Sequence, residues 1–358
     1  MSPPAARSAQ PPSGSTSSAG HARKARVSIS RTARSTTPSR RPRVDARRAA
    51  TRKSVRAPRG GARRPVPPRY LPPPGGGSGV RIGLFGINLG ACARPEVAAR
   101  VAQAAEAAGF DSVWTGEHVV LPDPQAPPSP APPQTPFLDP LVALAHLAAA
   151  TARVRLATGI VILPQRNPLV LAKEAATLDV VSGGRALLGV GAGYLHQEFA
   201  ALGVPFERRG PRTDEYIDAM RALWTMERPA FSGAFVSFAG VDAQPRPVQK
   251  GGVPIVVGGA SPGALRRAVA RGHGWYGFAL DPAATARCLE GLARAARDVE
   301  RPAALGRLEI TVTPPPGDLA EQAPRYRELG VDRLALLGMR AHESALLALV
   351  EEGAKLVG

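Results

Sequence analysis

The chain is short of the features that mark several common protein classes. It holds two cysteines, Cys92 and Cys288, with no metal-like spacing, so neither a disulfide framework nor a zinc site is supported. No apolar run reaches the roughly 18 residues that suggest a membrane span. No glycine-rich dinucleotide fingerprint opens the first helix. After Asn88–Gly90 comes Ala-Cys-Ala-Arg rather than a third spaced glycine, which argues against a doubly wound nucleotide-binding sheet. Acid is nearly missing from the first 79 residues, where 18 Lys and Arg face a single carboxylate, Asp45. The whole chain has 46 basic and 28 acidic residues, which leaves 28 and 27 for residues 80–358, a net of +1. The basic character belongs to the amino-terminal stretch alone.

That stretch is Arg, Pro, Ser and Ala with hardly any aromatic or branched apolar residues. It cannot bury enough apolar surface to offset the entropy of ordering it, so residues 1–79 are expected to be a disordered basic extension. Lys and Arg neutralise phosphates, yet charge without a folded counterpart reads as solvated, and no nucleic-acid partner is expected. The composition also imitates a transit peptide, without the apolar core of a secretory signal. Arg40–Arg41 lies too deep for a twin-arginine signal. Gly75–Gly79 reads as a linker into the first strand, which leaves open a start of translation downstream. A cytoplasmic protein without membrane association is the expectation.

From Val80 onward, short apolar runs alternate with Ala/Leu-rich amphipathic stretches. The pattern predicts strands at Val80–Ile87, Asp111–Trp114, Val154–Leu163, Arg185–Gly191, Pro254–Val257, Trp275–Ala279, Leu308–Thr313 and Asp332–Leu337. Helices are predicted at Pro95–Ala108, Leu138–Thr151, Pro168–Val181, Gly210–Met226, Pro262–Arg271, Pro282–Arg297, Leu319–Leu329 and His342–Leu356. A small hairpin is expected in Ala230–Phe238, around Gly233, and a Pro-rich loop, a candidate lid, at Pro122–Pro136. Eight strand–helix units in residues 80–358 point to a (β/α)8 TIM barrel, which typically takes about 250 residues.

In that architecture chemistry sits at the carboxyl ends of the strands. Those positions hold Asn88, then Thr115-Gly116-Glu117-His118, Thr158-Gly159-Ile160, Gly191-Ala192-Gly193-Tyr194 and Gly258-Gly259-Ala260-Ser261. Glycine there permits close approach of a flat ring or a phosphate. Ser261 precedes Pro262, which marks a helix start whose free N–H groups face an anion. A single such glycine is more often just a turn; the recurrence around one rim is what implies a large ligand. His118 is the catalytic candidate, because a strand-end imidazole exchanges a proton near neutral pH. Glu117 points the other way and reads as a buried carboxylate orienting a loop. His146 is assigned to a helix as structural, and His196, His273 and His342 to surface or loop. Arg209, Arg212 and Glu215 are expected to form an ion-pair cluster.

The strings SVWTGEHVVLP (Ser112–Pro122) and RVRLATGIVILPQRNPLVLAKEAATLDVVSGGRALLGVGAGYLHQEFAALGV (Arg153–Val204) resemble the luciferase-like monooxygenase superfamily, in its branch using the deazaflavin coenzyme F420. RGPRTDEYIDAMRALW and PRPVQKGGVPIVVGGASPGALRRAVARGHGW continue the likeness, which spans residues 80–358 and none of 1–79. The resemblance implies that His118 stands at the reactive face of the cofactor ring. It implies that Thr158-Gly159 is the strand-3 bulge, often a non-prolyl cis peptide, that backs the ring, with Ile160 beside the cofactor. Gly191, Ala192 and Gly193 would lie beside the cofactor, and Gly258, Gly259 and Ser261 near its ribityl-phosphate end. Asn88, Trp114 and Tyr194 would face the substrate. Relatives that oxidise a phosphorylated sugar carry Glu where this chain has Tyr194, so that substrate class is not expected.

The resemblance thus implies an oxidoreductase moving hydride between coenzyme F420 and a small organic substrate, without a metal. An FMN-dependent monooxygenase using reduced flavin and O2 is the alternative, and a non-catalytic flavin-binding barrel is the reading from another class. A homodimer is the assembly that the likeness suggests.

Overall fold

The computed structural model describes residues 79–357; the expected basic extension, apart from Gly79, lies outside them. Eight parallel strands form the framework: β1 Arg81–Phe85, β2 Ser112–Thr115, β3 Arg155–Thr158, β4 Ala186–Gly191, β5 Ile255–Gly258, β6 Gly274–Phe278, β7 Glu309–Thr313 and β8 Arg333–Leu337. Each pairs with its neighbour, and β8 returns to β1 with Arg81 opposite Arg333 and Phe85 opposite Leu337. The sheet is therefore a closed barrel. Its strands are nearly all buried on both faces, which is why they read as continuous apolar runs rather than alternating ones.

The outer ring is α1 Pro95–Ala107, α2 Pro140–Ala150, α3 Pro168–Ser182, the short α4 His196–Ala201, α5 Arg209–Thr225, α6 Pro262–Arg271, α7 Pro282–Asp298, α8 Leu319–Glu328 and α9 Glu343–Ala354. Local chemistry fixes many of the starts. Asp139, Asn167, Ser261 and Asp281 each accept a hydrogen bond from the first turn, and each is followed by a proline at the first helical position. Asp318 caps α8 without proline. Among the described residues, no helix is long and apolar enough to cross a membrane.

Two apolar layers result. The larger lies between barrel and helices. The smaller fills the barrel with Phe85, Leu89, Trp114, Ala157, Leu187, Val256, Tyr276 and Ala335. Trp114 stacks on Tyr276 at 5.3 Å, and the indole N–H and phenol end on Ser112 and Thr313 at 2.8 and 2.7 Å. Polar groups this deep are tolerated because each has a partner. Below them the fully buried Arg333 joins Asp111 and Glu309, closing the amino end of the barrel with charge.

Two elements differ from the sequence reading. The single strand expected at Val154–Leu163 is broken: β3 ends at Thr158, the Gly159–Ile160 bond is cis, and only Val161–Ile162 resumes pairing, against β4. The six-residue α4 was not foreseen, because one and a half turns carry too little periodicity to register.

Candidate active site

Residues from four strand ends meet at the carboxyl rim. Beyond β2, Glu117 turns into the wall and His118 toward the mouth, as adjacent residues on extended chain must. The buried Glu117 carboxylate accepts from Ile162 N–H and from Arg166, whose Nε lies at 3.0 Å. Arg166 also reaches Asp139 at 2.7 Å. Burial raises the Glu117 carboxyl while Arg166 and Ile162 N–H lower it, and the balance lies above its ordinary value. Its structural task is to clamp the strand-3 bulge to β2, and Gly159 N–H to Thr115 C=O at 2.7 Å completes the join.

The His118 side chain is 8 % exposed. Its Nδ1 lies 3.3 Å from Glu198 Oε2 and its Nε2 3.3 Å from the Tyr194 hydroxyl. Phe137 and Tyr194 meet the ring edge-on at 5.7 and 5.8 Å. Glu198 comes from α4 and is fully buried, and its second oxygen accepts Val119 N–H at 2.6 Å. Sequence reasoning missed it: 80 residues separate it from His118, and the only local cue is its place four residues after Tyr194. Tyr194 itself is 46 % exposed, and burial, then the Glu198 charge, push its phenol up. Phe278, also 46 % exposed, stands across the mouth against Phe85 at 5.0 Å.

The remaining rim positions fall into two groups. Thr158 is buried and bonds Gly189 C=O at 2.7 Å. The cis bond joins Gly159 to Ile160, one residue beyond Thr158-Gly159. Ile160 packs its side chain onto Gly191 and Gly258: a Cβ at Gly191 would overlap Ile160 Cδ1, and one at Gly258 would lie 2.9 Å from Cγ2. These two glycines make room for the bulge itself. Ala192, Gly193, Gly259 and Ser261 are the accessible ones. The Ser261 hydroxyl takes the Ala264 N–H at 3.3 Å and the Ser261 carbonyl the Leu265 N–H at 3.0 Å; Pro262 has no N–H, which leaves the Gly263 N–H as the donor of the first turn of α6.

Two substrate candidates are enclosed. Asn88 is fully buried, donating to Gly116 and Leu138 carbonyls at 2.9 and 2.7 Å and accepting Gly116 N–H at 2.9 Å. Trp114 is equally buried in the barrel floor. Neither presents surface to a substrate; they hold the strand ends and the far end of the Pro-rich loop, where Phe137 bridges to Leu89. Nor do Arg209, Arg212 and Glu215 pair with one another. Arg209 lies over Phe206 at 3.7 Å and donates to Gly193 C=O at 3.1 Å. Arg212 donates to Pro205 C=O at 2.8 Å. Glu215 accepts the N–H groups of Ala234, Phe235 and Val236 and so pins the hairpin Phe231–Ser232/Ser237–Phe238.

The sequence model of the luciferase-like monooxygenase family matches residues 78–347. An uncharacterised protein of Mycobacterium tuberculosis (strain ATCC 25618 / H37Rv) is 34 % identical over 278 residues, 71 % of this chain and 91 % of that one. The oxygenase component of a flavin-dependent trigonelline monooxygenase from Acinetobacter baylyi is 34 % identical over 172 residues, 48 % of this chain and 44 % of that one. Among solved structures, an F420-dependent secondary alcohol dehydrogenase in complex with an F420–acetone adduct superposes with a TM-score of 0.64. Its identity is 19 %, over 78 % of this chain and 99 % of that one, a likeness of fold.

Proposed function

The chain belongs to the luciferase-like monooxygenase family, and from that premise we propose that it transfers hydride between coenzyme F420 and an organic substrate. The observation that carries the proposal is His118: an almost enclosed imidazole at a strand end, with both ring nitrogens held, joined through Thr115–Gly159 to the bulge. Hydride transfer to or from a hydroxyl or carbonyl carbon leaves one proton to be moved, and an imidazole can take or give it.

The residues fit a large flat cofactor. The half-buried Ile160 offers apolar surface between β3 and β4, and Phe278 and Tyr194 leave aromatic surface uncovered at the mouth. Gly259, at φ +109°, and Ser261 open onto the first turn of α6, where the Gly263 N–H and the helix dipole suit a phosphate. When bound, the deazaflavin supplies the two-electron chemistry. His118, Ile160, Ala192, Gly193, Gly259 and Ser261 would orient it, with the buried Thr158, Gly159, Gly191 and Gly258 shaping the bulge behind.

The likeness to a flavin-dependent monooxygenase supports a second reading, in which FMN occupies the same cleft and O2 is the co-substrate. In either case His118→Ala keeps cofactor binding and lowers turnover by about 10²–10⁴-fold, the usual loss of a proton-transfer group. Turnover unchanged in that variant would remove His118 from the chemistry.

A further inference from the structure

Reading His118 as the proton carrier leaves the two groups that bracket its ring without a role. A carboxylate only accepts, so Glu198 beside Nδ1 requires the proton on Nδ1 and leaves the Nε2 lone pair facing Tyr194. The Tyr194 hydroxyl can then donate to Nε2, and its exposed position makes it the outer end of the chain. Burial holds the phenol protonated well above neutral pH. Both contacts are at 3.3 Å, long for hydrogen bonds, as is common before a substrate draws a site together. Tyr194 directly follows the strand-4 glycines. Four residues on, Glu198 brings a carboxylate to the far side of the histidine.

We propose that Tyr194, His118 and Glu198 form a proton relay, in which Tyr194 meets the substrate hydroxyl and Glu198 is the positioning residue that keeps Nε2 open. It rests on the hydride-transfer reading and names the substrate class as a hydroxyl–carbonyl pair. In the oxidative direction the carbinol hydrogen leaves with its electron pair as hydride, for which that reading supplies a deazaflavin acceptor. The hydroxyl proton passes to the Tyr194 oxygen as the Tyr194 proton passes to Nε2, and the C=O bond forms. The resulting imidazolium is held by the Glu198 carboxylate. In the reductive direction every transfer reverses.

The test reads the histidine directly, in protein free of cofactor. Long-range ¹H–¹⁵N correlation spectra of ¹⁵N-histidine-labelled protein, with His118 assigned by its loss in His118→Ala, give the tautomer. Wild type is expected to carry the proton on Nδ1. In Glu198→Gln the amide oxygen can still accept Val119 N–H while the amide N–H₂ faces Nδ1, so the tautomer reverses. Tyr194→Phe shifts the Nε2 resonance and leaves the tautomer alone. A wild-type proton on Nε2, or an unchanged tautomer in Glu198→Gln, overturns the proposal, as does an Nε2 resonance indifferent to Tyr194→Phe. If Glu198→Gln does not fold, the wild-type and Tyr194→Phe spectra decide. Because no cofactor is present, this result stands or falls separately from cofactor choice.

Discussion

Acidification should weaken this fold through one histidine, and the size of the effect follows from where His273 sits. It lies in the turn between α6 and β6, and its Nδ1 accepts the Ile255 N–H at 3.0 Å. Its own backbone N–H and C=O tie β5 to β7 at 2.7 and 3.0 Å. Protonating Nδ1 destroys that acceptor. Burial first, then the Arg221 and Arg301 charges, lower its pKa from 6.5 to about 4. The unfolded chain therefore binds a proton more readily than the folded one. The stabilisation is complete above pH 6.5 and is lost as pH falls toward 4. For that shift the loss is about 2 kcal/mol at pH 5 and about 3 kcal/mol at pH 4. Urea unfolding of wild type and His273→Asn between pH 7 and 4.5 measures it. Asparagine offers an acceptor to Ile255 N–H and cannot titrate in this range, so the variant should lose distinctly less stability than wild type. Parallel curves for the two proteins would refute the reasoning.

The clamp and the glycines make two further predictions. Glu117→Ala removes the carboxylate that joins Arg166 and Ile162 N–H. Breaking a buried pair costs about 3–5 kcal/mol, and the remaining Arg166–Asp139 contact should hold the loss to about 2–4 kcal/mol by urea unfolding; a neutral variant contradicts the clamp. Gly191→Ala forces a methyl onto Ile160, so overpacking should cost about 1–3 kcal/mol and weaken cofactor binding by displacing the bulge. Unchanged stability and binding would show that Gly191 is only a turn residue.

The barrel was legible in the sequence because apolar runs and Pro- or Gly-marked helices alternate eight times, with starts such as Asn167-Pro168 and Ser261-Pro262 written in adjacent residues. The position of His118 at the carboxyl rim was legible because it follows directly on the apolar run of β2. Contacts between distant segments were not. Nothing near Glu198 signals His118, and nothing near Gly191 signals that Ile160, rather than a ligand, occupies the space of its missing Cβ. Asn88 and Trp114 stand at the expected strand ends, yet hydrogen bonding and stacking draw both inward, which spacing alone cannot express. His273 was assigned to surface or loop. It does lie in a turn, but the structure half-buries it as the acceptor of a strand amide.

The central claim is that the rim built around His118, the Gly159–Ile160 bulge and the Gly259–Ser261 turn holds a deazaflavin. Titrating the purified protein with oxidised coenzyme F420 and, separately, with FMN, followed by absorbance and fluorescence, tests it most directly. The account predicts saturable F420 binding that is tighter than FMN binding and weakened by Gly191→Ala. Preference for FMN would contradict the hydride-transfer reading in favour of the monooxygenase, and binding of neither would contradict the assignment of the rim itself.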